Sequence, residues 1–169
     1  MEQVKWFDRK FDFSFEQNIF PSIIDRLEGT IVRLKYRVKN ASPETLKNKS
    51  HGRWSVLENI GHLSDMEPLW QIRLQEILAG KKIMTAADLQ NTKTNEAAHN
   101  KQSLVDLVSK FVFLRNETLI QLQQLTEKDI YKSALHPRLN TPMRIMDLFL
   151  FVAEHDDHHL VNIKELIKV

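Results

Sequence analysis

Apolar positions recur at intervals of three and four along four stretches of this chain, the spacing that gathers them on one face of a helix. The first stretch predicts a helix from Phe15 to Val38. Ile23, Leu27, Ile31, Leu34 and Val38 share one side, and Pro21 sits near the start, where a missing N–H is tolerated. The second opens at Ser55, which forms an S-x-x-E capping box with Glu58, and runs to Leu78 before a stop at Gly80. Pro68 lies inside it and predicts a kink. The third, from Ser103 to Leu125, carries the stripe Leu104, Leu107, Val108, Phe111, Leu114, Thr118 and Leu122. The fourth is capped by Thr141, has Pro142 at its first position, and continues to Lys168.

Between these helices, Lys39 to Arg53 reads as a polar connection with Pro43 and Gly52. The pattern fades from Lys81 to Asn100, apart from a short helix expected around Thr85 to Leu89. A further loop holds Pro137 and Asn140. Four amphipathic helices of this length predict an all-α four-helix bundle, with residues 1–169 as one domain.

Three of the seven histidines fall where such helices normally carry leucine. At about 100° per residue, His155 and His159 lie in the middle of the apolar stripe of the fourth helix, with His158 at its edge and Asp157 pointing away. His62 shares the inward face of the second helix with Met66, Leu69 and Ile77. Imidazoles aimed at a core need partners for their ring nitrogens. One divalent metal satisfies all three: the H-x-x-x-H pair supplies two ligands from consecutive turns and a facing helix the third. A buried polar network is the other reading. The heights of these residues along their helices favour an antiparallel second and fourth helix. That is the up-down-down-up order, and it needs a long crossover such as Lys81 to Asn100.

Composition narrows the chemistry. The 169 residues include no cysteine, which excludes a disulfide framework, a cysteine zinc site and a cysteine nucleophile, and fits the cytosol. Lys and Arg number 24 against 22 Asp and Glu, a net charge of +2 that argues against a dedicated nucleic-acid binder. No signal peptide and no membrane segment are expected; the longest apolar stretch, Leu148 to Ala153, is far too short to span a bilayer. A cytoplasmic protein acting on a small molecule is the expectation.

The run Trp54-Ser55-Val56-Leu57-Glu58-Asn59-Ile60-Gly61-His62-Leu63, followed by Asp65 and Glu67, together with His155-Asp156-Asp157-His158-His159, resembles the DinB-like superfamily in its branch of YfiT-type metal-dependent hydrolases. The resemblance implies an up-down-down-up bundle and a three-His site for zinc, nickel or a similar ion, with His62, His155 and His159 as the ligands. It also implies a homodimer, and a thiol-dependent transfer or isomerisation using bacillithiol, mycothiol or glutathione, or a hydrolysis. Relatives often follow the last ligand with Arg-Gly-Gln; here Leu160-Val161-Asn162 stands instead, and Asn162 keeps an inward amide.

In this reading the metal activates a water or a low-molecular-weight thiol. Glu58, one turn before His62, is a candidate base or orienting group besides its place in the cap, and Asn162 is a candidate contact to the reacting groups. Asp65 and Asp156 are candidates to bond the ligand imidazoles, with solvation as the plainer reading. Trp54 and Trp70 read as core or pocket wall, and Asn95 and His99 as exposed loop residues within reach of a substrate. Ferritin-like sites need Glu-x-x-His on two helices, but only Glu96 to His99 has that spacing. Phosphohydrolases with a His-Asp motif need a later Asp, and none follows Asp157. A non-catalytic bundle that binds a ligand or partner, with a stabilising metal, is the alternative.

Overall fold

The computed structural model describes residues 3–49 and 52–168, so His51 lies outside the described residues. Helix α1 spans Phe20–Val38, a short α2 spans Pro43–Lys47, and α3 spans Val56–Leu78. A short α4 covers Thr92–Glu96, α5 covers Leu104–Gln123, and a single turn, α6, covers Glu127–Ile130. Strands β1 (Ser133–His136) and β2 (Thr141–Arg144) precede α7, Ile145–Ile167.

The long helices are α1, α3, α5 and α7. Their directions follow from their side-chain bonds. Arg26 bonds Glu154 and Asp157, Arg33 bonds Asp157, and Arg37 bonds the Leu160 carbonyl, so α1 and α7 run parallel. Glu67 meets Arg115 and Thr118, and Gln75 meets Gln121, so α3 and α5 also run parallel. Asn59 meets His159 while His62 meets His155, which makes α3 and α7 antiparallel. The bundle is therefore up-down-down-up.

Leu27, Trp70, Leu74, Ile77, Phe149 and Val152 belong to one apolar cluster; Leu34, Leu57, Ile60, Leu63, Phe111 and Leu160 belong to another. Between them lies a charged cluster with no access to water. Arg115 is fully buried, and its guanidinium meets Asp156 at 2.5 Å and Glu67 at 2.6 Å. Thr118 donates to Glu67 at 2.6 Å and Thr30 to Asp156 at 3.0 Å, so all four long helices contribute. Burial opposes the Arg115 charge, but Asp156 and Glu67 outweigh it and hold the proton more firmly than usual. Burial also pushes the Glu67 carboxyl up, against the pull of Arg115.

Several expectations are corrected. The first helix begins at Phe20 rather than Phe15, where Asn18 accepts the Phe20 N–H. The connection after it contains α2, capped by Ser42. No helix forms over 85–89; the short helix of the long connection is α4, at Thr92–Glu96. Thr141 does not cap the last helix. Thr141 to Arg144 form a strand antiparallel to Ser133–His136, and Pro142 stands opposite Leu135 with its side chain exposed, a position where an edge strand tolerates the missing N–H. The helix starts at Ile145, and Asp147 accepts from the backbone N–H and the guanidinium of Arg144. No helix among the described residues is long and apolar enough to cross a membrane.

Removing one member of a buried ion cluster leaves uncompensated charge and costs about 3–5 kcal/mol. Arg115→Met should lower the unfolding free energy in urea by that amount. An unchanged denaturation midpoint would show that the cluster is not what joins the helices.

Candidate metal centre

His62 occupies the second turn of α3 because the cap fixes where that helix begins. Ser55 Oγ accepts the Glu58 N–H, and Glu58 accepts the Ser55 N–H at 2.9 Å. The second Glu58 oxygen lies 2.6 Å from Lys49 Nζ. Both oxygens of Glu58 are thus engaged, and Glu58 lines neither cavity beside the site.

His62, His155 and His159 converge, each with one ring nitrogen within 4.8 Å of the others. The Nε2 atoms of His62 and His155 are 3.3 Å apart, and those of His155 and His159 are 3.2 Å apart. All three residues are buried. Burial holds the His62 imidazole down to about 4, partly offset by Asp65, and keeps His155 and His159 well below the ordinary histidine range.

Their hydrogen bonds assign the ring protons. Asn59 Nδ2 donates to the carbonyls of Trp54 and Ser55, so its Oδ1 accepts the bond of 2.8 Å from His159 Nδ1. That leaves a lone pair on His159 Nε2. Thr94 Oγ1 donates to Asp65 Oδ2, a carboxylate with nothing to give back. The hydroxyl must therefore accept from His62 Nδ1, at 3.0 Å, which leaves a lone pair on His62 Nε2 as well. His155 Nε2 stands between these two lone pairs and can donate to only one. Its Nδ1 has no partner. A single cation removes the conflict by accepting all three Nε2 atoms. Donors on a tetrahedral zinc ion, with bonds of about 2.0–2.1 Å, sit about 3.3 Å apart, close to both separations seen here. Neutral imidazole is also a good ligand for nickel.

The connection between α3 and α5 builds the layer behind the ligands. His99 is buried, not the exposed loop residue expected, and bonds Asp65 Oδ2 at 2.8 Å. Asp65 is buried too, bonding Thr94 and His99 rather than facing solvent. The His99 ring fits only because residue 61 is glycine: a Cβ there would lie 2.3 Å from it. Asn95 is exposed and accepts the Trp54 indole N–H. Asp156 turns from the imidazoles to Arg115. Asp157 does point away from the core, toward Arg26 and Arg33.

Two cavities meet at the rings. One, of about 190 Å³, is lined by His62, His155, Trp70, Arg73, His136 and Arg138 among others. The second, of about 460 Å³, is lined by His62, His159, Trp54, Asn59, Asn162 and Arg53 among others. Trp6 and Phe7 of the N-terminal arm wall both cavities, and Trp6 packs edge-on against His155 at 5.1 Å. Asn162 accepts from Gln3 at 2.6 Å.

Asn59, Thr94, Trp6 and Arg73 contribute to the site without a role assigned from the helical pattern. Asn59 had a signal, since it lies near +60° from His62 on the inward face. Thr94 and Trp6 had none, because each lies on a short helical turn outside the four long helices, where no amphipathic period marks an inward face.

The DinB superfamily profile matches residues 26–163. YfiT from Bacillus subtilis, described as a probable metal-dependent hydrolase with an unusual four-helix bundle topology, superposes with a TM-score of 0.81 at 21% identity, over 95% of this chain and 92% of its own. A Streptococcus pneumoniae protein matches with a TM-score of 0.69 at 12% identity, over 92% and 93% of the two chains. A Clostridium difficile 630 protein matches with a TM-score of 0.68 at 11% identity, over 92% and 99%. A search of curated proteins returns no match.

Two outcomes follow. Gly61→Ala should drive His99 from its seat and destabilise the fold by about 1–3 kcal/mol, measured by thermal or urea unfolding. The second concerns acid. His136, away from the three-imidazole cluster, is held down to about 4 first by burial and then by Arg73 and Arg138. Above pH of about 6.5 it is neutral in the folded and unfolded chain alike. Below that, the unfolded chain takes up a proton that the folded one refuses. Stability of the metal-free protein should therefore fall as pH drops from 6.5 toward 4, and His136→Gln should shrink that slope in urea titrations across the window.

Proposed function

Because this chain belongs to the DinB superfamily and directs two unprotonated imidazole nitrogens at a third where two cavities meet, we propose that it is a metal-dependent enzyme. His62, His155 and His159 hold one divalent ion, zinc or nickel, and the reaction transfers a low-molecular-weight thiol to a small electrophile. The single observation that carries the reading is the proton assignment at Asn59 and Thr94, which leaves two lone pairs facing His155 Nε2, a nitrogen that can donate to only one of them. Transfer is favoured over simple hydrolysis by the two separate cavities at the rings, one for each reactant.

A divalent ion with three protein ligands supplies Lewis-acid activation of a thiol or a water at neutral pH. The chain does the rest. Asn59 and Thr94 keep the Nδ1 protons of His159 and His62 in place, so that each ring presents its lone pair without reorganising. Trp6, Trp54 and Trp70 wall the rings with apolar surface. Asn162, held by Gln3, offers its amide to a reactant in the larger cavity. Glu58 acts through the cap that sets the height of Asn59 and His62. The thiol sulfur forms the new bond to the electrophilic carbon as the leaving group departs with its electron pair, and the thiol proton passes to solvent. The sulfur must come from a co-substrate, because the chain has no cysteine.

Elemental analysis of untagged protein should find about one metal ion per chain. His159→Ala should abolish it, and Asn59→Ala should weaken affinity by about 10–100-fold. The loaded protein should then transfer bacillithiol, mycothiol or glutathione to an electrophile above the buffer rate. Protein that takes up no metal under any loading condition would refute the centre; metal without turnover would leave a binding protein.

A further inference from the structure

The smaller cavity carries a second unresolved pattern, on the side away from Asn59. Arg73, on α3, is 1% exposed and forms no ion pair with any described residue. Its Nε donates to the Thr85 carbonyl at 2.9 Å, and its Nη1 lies 3.2 Å from His136 Nε2. Its Nη2 is buried with no partner at all. Arg138, in the turn between β1 and β2, also has a buried Nη2 without a partner. Both residues line the cavity that reaches His62 and His155.

His136 sharpens the point. Its Nδ1 accepts the backbone N–H groups of Arg138 and Leu139, both at 3.2 Å. Those groups can only donate, so the imidazole proton belongs on Nε2. That N–H then faces the Arg73 Nη1 donor, two donors with no acceptor between them. The opposite tautomer only moves the clash to the backbone. Buried unpaired donors of this kind are costly, and guanidinium groups most of all.

No carboxylate among the described residues resolves it. Asp88 lies on the cavity wall, but its oxygens accept from the backbone of Gln90 at 2.9 Å and Thr92 at 2.7 Å. Glu76, one turn from Arg73, is occupied by Thr85 and Lys81. Burial draws the Arg73 guanidinium down to about 10, with Glu76 opposing, so it remains charged at neutral pH. Trp70 and Phe7 lie against the faces of the two guanidinium groups and leave the N–H edges to other partners.

We propose that this cavity is an oxyanion subsite, in which Arg73, Arg138 and the His136 N–H hold a carboxylate or phosphate group of the electrophilic substrate while its reacting end lies at His62 and His155. The substrate class is thereby a small anionic electrophile. The position of its reacting end rests on the metal-centre reading above; the assignment of the anion to the two arginines does not.

The test titrates metal-free and zinc-loaded protein with succinate and with inorganic phosphate at constant ionic strength. Binding is followed by tryptophan fluorescence, since Trp6 and Trp70 line the cavity. Both forms of the protein should bind one of these anions saturably. Stronger succinate binding assigns a carboxylate, and stronger phosphate binding assigns a phosphate ester. Arg138→Gln and Arg73→Met should each weaken binding by about tenfold or more. Lys128→Gln, an exposed charge outside both cavities, should not. Arg138 is only half-buried in a turn, so its variant keeps the test valid if Arg73→Met fails to fold. Absence of saturable binding, or equal binding by wild type and Arg138→Gln, overturns the subsite. So does binding confined to zinc-loaded protein, lost with His159→Ala and kept with Arg138→Gln, for then the ion holds the anion. Failure of the metal centre would show separately, as no zinc uptake beside intact anion binding by the metal-free form.

Discussion

A guanidinium with no access to water, held between two carboxylates, ties the four long helices together. Arg115 comes from α5, Glu67 from α3 and Asp156 from α7, with Thr30 of α1 on the same Asp156 oxygen. Apolar packing alone tolerates a helix that slides by a turn. A buried charge cluster does not, since a slip strands ions in a medium that cannot solvate them. Asp156 follows His155 directly, and Glu67 lies within two turns of His62. Whatever fixes the carboxylates therefore fixes the height of the imidazoles. The bundle's register and the geometry of the three rings have one cause.

The second constraint is topological. Parallel α3 and α5 oblige the intervening chain to return along the bundle, and that return path lays Thr94 and His99 behind His62. Thr94 is what turns the His62 proton away from the centre of the cluster. On the other side the task falls to Asn59, whose amide is oriented by the same turn that caps α3. The N-terminal arm closes the remaining face with Trp6. The rings thus come from the long helices, while Thr94, His99 and Trp6, which hold or wall them, come from short turns too brief to carry an amphipathic period.

That division explains what could be read beforehand. The helical faces, the convergence of His62, His155 and His159, and the antiparallel relation of α3 to α7 all follow from a period of 3.6 and a rise of 1.5 Å. The start of α7 did not, because Thr141-Pro142 satisfies the rule for a helix cap and the rule for an edge strand equally well, and only pairing with Ser133–His136 decides between them. Asp65 and Asp156 were hard to place for a related reason. A carboxylate at the flank of an apolar stripe is solvated unless a donor arrives from elsewhere, and here His99 and Arg115 arrive. Arg73 gave no sign, since a lone arginine on a helix is ordinarily a surface residue.

Gly61 has a consequence for how the chain tolerates change over generations. A glycine inside a helix costs about 1 kcal/mol relative to alanine, yet any side chain at that position collides with the His99 ring. The steric contact couples the two positions: a larger residue at 61 has room only with a smaller one at 99. Change in the helix at 61 is thus conditional on change at 99, some forty residues away along the chain.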